Sequence, residues 1–152
     1  MEEAVKKKLV LIWLLCVASA WCALAAPPPY QNLPGWRKKD QCAPFAEAFE
    51  AKCNASGVPA VRLTYDWSAP SGAEGRHVVV LFKDGGELWL MDNEHLKPWR
   101  VAPGYKTDLE VMRHNAPYVV SMVNNISLAT AQPRTLEELF PDLTKWQNNK
   151  NQ

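Results

Sequence analysis

Two apolar runs joined by a tight glycine turn constrain this chain most. Arg76-His77-Val78-Val79-Val80-Leu81-Phe82 and Glu87-Leu88-Trp89-Leu90-Met91-Asp92 flank Lys83-Asp84-Gly85-Gly86. Apolar runs on either side of Asp-Gly are the strongest short-range hairpin signal, because these residues accept the positive φ angles of a type I′ turn. With Asp84-Gly85 as the central pair, Lys83 faces Gly86 and His77 faces Asp92. Directly opposed side chains leave one sheet face with Cβ atoms about 5 Å apart. A three-residue loop would instead place His77 opposite Asn93. Taken singly, His77 reads as a strand-end histidine and Asp92 as a turn residue; their pairing across one hairpin is what raises a chemical reading. Upstream, Val61, Leu63 and Tyr65 alternate with Arg62 and Thr64, the pattern of a half-buried strand. Ser68 to Gly75 has the composition of a loop.

Before that strand, residues 43–55 read as a helix. Phe45, Ala48, Phe49 and Lys52/Cys53 recur at spacings of three and four, Pro44 suits a first turn, and Gly57 suits a stop. This helix decides what the cysteines can do. Of the four cysteines, Cys16 and Cys22 fall within the first 25 residues, which read as a cleaved leader; in the oxidising compartment that a leader implies, the remaining two would ordinarily form a disulfide. Cys42 and Cys53, however, would lie about 16 Å apart along a helix axis, and a disulfide needs Cα atoms within about 7 Å. Cys53 then falls on the buried face. Cys42 heads the helix, where free N–H groups and the positive dipole end favour a thiolate or an oxyanion. An inert thiol and an activated one both fit that position.

The first 25 residues are expected to be absent from the mature fold. Lys6-Lys7-Lys8 precedes the apolar run Leu9–Val17, and Ala23-Leu24-Ala25 suits a cleavage site, the layout of a secretory signal peptide. An uncleaved membrane anchor is the alternative; Leu9–Ala26 is barely long enough to span a bilayer. The 152-residue chain carries 17 Lys plus Arg and 16 Asp plus Glu. Cleavage after Ala25 removes three Lys and two Glu, which leaves the mature chain with no net charge. That balance argues against nucleic acid and an acidic membrane surface as partners. The leader implies a protein that is secreted or periplasmic, with no membrane contact after cleavage. Residues 26–39 read as a Pro-rich extended lead-in, 40–146 as one domain, and 147–152 as a polar tail. In the lead-in, Trp36 is expected to pack. Residues 108–114 suggest a short helix, 117–123 a further strand and 135–140 a helical turn. His95 and His114 lack metal-ligand spacing and are expected to be structural or exposed. Asn54-Ala55-Ser56 and Asn125-Ile126-Ser127 match the glycosylation sequon, which matters only in a eukaryotic host.

A Cys at a helix start, followed by a His and an Asp on later strands, supplies a nucleophile, a base and an orienting group. The chemistry expected is acyl transfer from an amide or ester through a thioester. Four segments in order resemble the bacterial transglutaminase-like cysteine proteinases of the papain-like superfamily. Asp40-Gln41-Cys42-Ala43-Pro44-Phe45-Ala46 is similar to the family's D-C-x-x-F-A helix start, and Gly57-Val58-Pro59-Ala60-Val61-Arg62 to its G-[IV]-P-A-x-R step. His77-Val78-Val79-Val80 resembles its H-A-V strand, and Trp89-Leu90-Met91-Asp92-Asn93 its W-x-L-D-N strand. The chain departs from the pattern at the inserted Gln41, at Ala43-Pro44 in place of acidic residues, and at Arg76 in place of a glycine. The resemblance implies an α+β papain-like/transglutaminase-like fold, with the Cys-bearing helix packed on an antiparallel sheet. It also implies Cys42, His77 and Asp92 as catalytic residues, no cofactor and no metal, and a protein or peptide amide substrate. Gln41 is a candidate oxyanion donor. A catalytically idle binding or scaffold module on the same fold is the alternative.

Overall fold

A computed structural model describes residues 29–125 and 132–141. The leader expected over residues 1–25 and the polar tail lie outside this range, as does most of the second sequon. Among the described residues, no helix is long and apolar enough to cross a membrane.

Helix α1 (Cys42–Ala55) begins one residue earlier than its periodicity suggests and is followed, after Ser56, by Gly57, whose φ is +76°. Strands β1 (Ala60–Ser68), β2 (Glu74–Asp84), β3 (Glu87–Met91) and β4 (Trp99–Arg100) follow. Helix α2 (Asp108–Asn115), strand β5 (Val119–Asn125) and the single-turn helix α3 (Leu136–Leu139) complete the set. The sheet order is β4-β3-β2-β1-β5, and every pairing is antiparallel.

Side-chain alternation along β2 divides the core in two. Val78, Val80 and Phe82 join Phe45, Ala46, Phe49 and Cys53 of α1 on one face. Val79 and Leu81 join Val111 and Met112 of α2, and Leu136, Leu139 and Phe140, on the other. Covered on both faces, β2 reads as an unbroken apolar run from Val78 to Phe82, all buried. Each layer is tied down locally. Glu50 of α1 meets the Arg62 guanidinium of β1 at 2.6 Å. Helices α2 and α3 both open on capping boxes, Thr107 with Glu110 and Thr135 with Glu138.

Three expectations need correction. The hairpin turn is Gly85-Gly86, with φ of +58° and +80°, so Asp84 faces Glu87 rather than Lys83 facing Gly86. Two adjacent glycines take both positive-φ positions without Cβ strain, and Asp84 is spared one. The β2–β3 ladder therefore ends at Val80 opposite Met91, and Asp92 lies beyond it. The lead-in is not extended: residues 31–37 form successive turns. Leu33 is buried, and the Trp36 ring packs 5.7 Å from Phe45. Apolar burial against α1 outweighs the extended preference of a Pro-rich segment. The loop after β1 is only residues 69–73. Arg76 forks onto both carboxylate oxygens of Asp66, at 2.6 and 3.2 Å. The Trp67 ring lies over Gly75, where a Cβ would come within 2.8 Å of it. These cross-strand contacts extend pairing to Ser68 and Glu74.

Candidate active site

His77 lies on β2 three residues beyond the end of its ladder with β3 and directly opposite Tyr65 on β1. The two rings meet edge to face, with centroids 5.7 Å apart. On the other flank, where β3 has ended, the chain turns and the Asp92 carboxylate takes the place of a strand neighbour. His77 Nε2 and Asp92 Oδ2 are 3.1 Å apart, with side chains 15% and 5% exposed. The contact anticipated from the hairpin is therefore present, but it is made by a loop residue.

Asp92 is held by four donors. Its Oδ1 accepts the backbone N–H groups of Glu94 and His95, each at 2.9 Å, and faces His95 Nδ1 at 2.8 Å. Burial by itself would raise the carboxyl's pKa. The hydrogen bonds from His77 and His95 outweigh burial and bring it down to about 2. An ionised carboxylate only accepts, so His77 Nε2 and His95 Nδ1 both carry protons. In the neutral His77 ring, Nδ1 is then the unprotonated nitrogen and can act as a base.

This low pKa has a consequence for stability. The folded-state value lies below the ordinary 3.8, so the contribution is fully present above pH 3.8 and is lost as pH falls toward 2. The span corresponds to roughly 2 kcal/mol. Urea unfolding followed from pH 5 to pH 2 is expected to show that loss in the wild-type protein and a shallower loss in Asp92→Asn. Equal slopes would show that folding does not lower the Asp92 pKa.

Cys42 reaches the same cavity from α1. The helix start carries no side-chain cap and no acidic residue in its first turn. Phe45 N–H already donates to Gln41 O, and Pro44 has no N–H. The N–H groups of Cys42 and Ala43 are the ones left to receive an anion. The loop before Cys42 is tightly specified. Arg37 and Asp40 both have positive φ, 54° and 58°. A Cβ on Gly35 would lie 2.5 Å from the Gln41 carbonyl oxygen. Asn93 holds this loop: its side-chain Nδ2 donates to Lys38 O at 2.7 Å, and its backbone carbonyl accepts Arg37 N–H at 2.8 Å. Adjacent residues Asp92 and Asn93 thus hold the imidazole and the loop that delivers the thiol.

Cys42, His77 and Asp92 all line one cavity of about 430 Å³, together with Tyr65, Trp67 and Tyr118. On its aromatic wall the Trp67 and Tyr118 rings stack with centroids 4.4 Å apart. Burial raises the Tyr65 phenol's pKa, and the negative charges of Asp92 and Glu94 reinforce the effect. Cys42 is half-buried and unlinked; no hydrogen bond joins its sulfur to His77 among the described residues. Cys53, also unlinked, is fully buried. Burial pushes its thiol up to about 12, with Asp84 and Glu50 adding to the effect. Gln41 is exposed and its amide donates to Asp40 O at 3.3 Å, away from the cavity lining. His114 is exposed, bonded to Glu110 O and stacked on Tyr105. Sequence reasoning missed two residues here. His95 is bonded to the buried carboxylate, and the available signal was its place three residues after Asp92, within reach of an Asx-type turn. Asn93 clamps the Cys42 loop across 55 residues of sequence, which no local pattern announces.

No family model, no curated protein and no solved structure matches this chain.

Proposed function

We propose that this protein is a cysteine acyl-transfer enzyme of the peptidase or amidase type, with a transglutaminase-like, papain-like arrangement of Cys42, His77 and Asp92. The observation that carries the reading is the His77–Asp92 pair, which leaves Nδ1 of His77 free in a cavity shared with the thiol at an uncapped helix start. In this scheme the Cys42 sulfur attacks the amide carbonyl carbon as its proton passes to His77 Nδ1. The Cys42 and Ala43 N–H groups receive the developing oxyanion. The C–N bond breaks, His77 returns the proton to the leaving amine, and a thioester remains. Water, deprotonated by His77, then attacks the thioester carbonyl, the C–S bond breaks, and His77 returns the proton to the Cys42 sulfur as the acid leaves; a primary amine in place of water would give transamidation. Each step uses only these protein groups and the attacking water or amine, and no cofactor is required. The substrate proposed is a protein or peptide amide. A secreted or periplasmic setting goes with the leader expected over residues 1–25.

A catalytically idle scaffold is the second reading, favoured by the missing hydrogen bond between Cys42 and His77. Hydrolysis of a fluorogenic peptide amide by the mature chain separates the two. Cys42→Ala and His77→Ala are each expected to reduce turnover by about a thousandfold or more. Hydrolysis that survives Cys42→Ala unchanged, or that never exceeds the buffer rate over a broad peptide set, favours the scaffold.

A further inference from the structure

Asp92 serves two imidazoles, and the scheme above uses one. His95 Nδ1 lies 2.8 Å from Oδ1, on the opposite side of the carboxylate from His77. The His95 ring rests on Trp99 with centroids 4.2 Å apart, while its side chain stays 53% exposed at the cavity wall. Backbone N–H groups already satisfy Oδ1 twice, so a third donor is not needed merely to bury the carboxylate. What it adds is orientation. With Oδ1 fixed from three directions, Oδ2 is the oxygen presented to His77.

We propose that His95 is a positioning residue for His77, acting through Asp92; the catalytic part of this inference rests on the acyl-transfer reading above. By donating from Nδ1, His95 holds the carboxylate so that the neutral His77 ring stays in the Nε2–H tautomer, with Nδ1 unprotonated in the cavity it shares with Cys42. The charged and titratable groups around this pair are Asp92, Glu94, Asp40, Arg76, Tyr65 and Cys42, all at the same cavity.

Two substitutions separate positioning from bulk. Asn places an amide N–H near the position of Nδ1, whereas Ala removes the donor. In the mature full chain, at a pH where the His77 ring is neutral, ¹⁵N NMR of its imidazole is expected to show the Nε2–H tautomer in wild type and in His95→Asn. His95→Ala is expected to show a mixture of tautomers. In parallel, the rate of Cys42 alkylation by iodoacetamide at pH 6–7 should fall about fivefold in His95→Ala, the worth of one modest hydrogen bond. It should return to within about twofold of wild type in His95→Asn. An unchanged His77 tautomer in His95→Ala overturns the proposal whatever the enzyme does. So does a loss that Asn fails to rescue, since that marks a packing role. If Cys42 of the wild-type protein reacts no faster than an ordinary thiol, the acyl-transfer reading fails, while the tautomer measurement still decides the role of His95.

Discussion

Iodoacetamide at pH 6 is expected to modify Cys42 in the folded protein and leave Cys53 untouched until the protein unfolds. The two thiols share one helix but not one environment. Cys42 is half-buried at the uncapped start of α1, in a cavity with an imidazole whose Nδ1 is free. Cys53 is fully buried, and burial pushes its thiol up to about 12, so almost no thiolate forms at that pH. Cys53 is therefore an internal control in every sample. His77→Ala removes the proton acceptor and is expected to slow Cys42 alkylation at pH 6 by about a hundredfold, within the range a positioned base supplies. Asp92→Asn should cost less, because it disturbs the orientation of the ring and not the ring itself. Peptide mapping of the alkylated sites over pH 5–9 provides the measurement. A Cys42 profile like that of an ordinary thiol, rising only near pH 8.5 and unmoved by His77→Ala, would leave no activated nucleophile and favour the scaffold.

Replacing Phe49 with Ala is expected to destabilise the fold by about 3–5 kcal/mol, the range for emptying a fully buried aromatic site. Phe49 has no exposed surface. Its ring stacks 5.8 Å from Phe45 and meets Phe82 of β2 and Tyr30 of the lead-in edge-on, at 5.4 and 6.2 Å. It is the point where α1, the sheet and the lead-in converge. The lost volume lies beneath the helix that carries Cys42, so the reactivity of that thiol should fall as well. Urea denaturation gives the stability change. Because the Phe45 and Phe49 rings touch, Phe45→Ala/Phe49→Ala should cost less than the two single losses added together. A loss below about 1 kcal/mol for Phe49→Ala would mean that this cluster does not hold α1 to the sheet.

Legibility follows the range of the interaction that decides each feature. Helix α1 was readable because its periodicity and its Ala and Glu content act within a few residues, and its length alone kept Cys42 and Cys53 apart. The hairpin was readable as a hairpin for the same reason. Its register was not, because three consecutive turn residues, Asp84, Gly85 and Gly86, allow two frames. Only the full ladder shows both positive φ angles assigned to the glycines. His77 and Asp92 do meet, though the expected register was wrong: ending the ladder at Met91 leaves an open flank on β2 that the 92–95 loop fills.

The sequence by itself determined the helix that carries Cys42, the strands on both sides of the Gly85-Gly86 turn and the burial of Cys53. Those outcomes rest on propensity and on apolar spacing within single elements. Tertiary structure alone decided the two-sided burial of β2, the folding of residues 31–37 onto α1 and the grip of Asn93 on the Cys42 loop. It also decided that a second imidazole, His95, shares the Asp92 carboxylate. Each of those joins groups that reach one another only after the sheet has formed. The atoms that meet are set by which chain segments the strand ends leave uncovered, a property of the assembled sheet that no window of sequence contains.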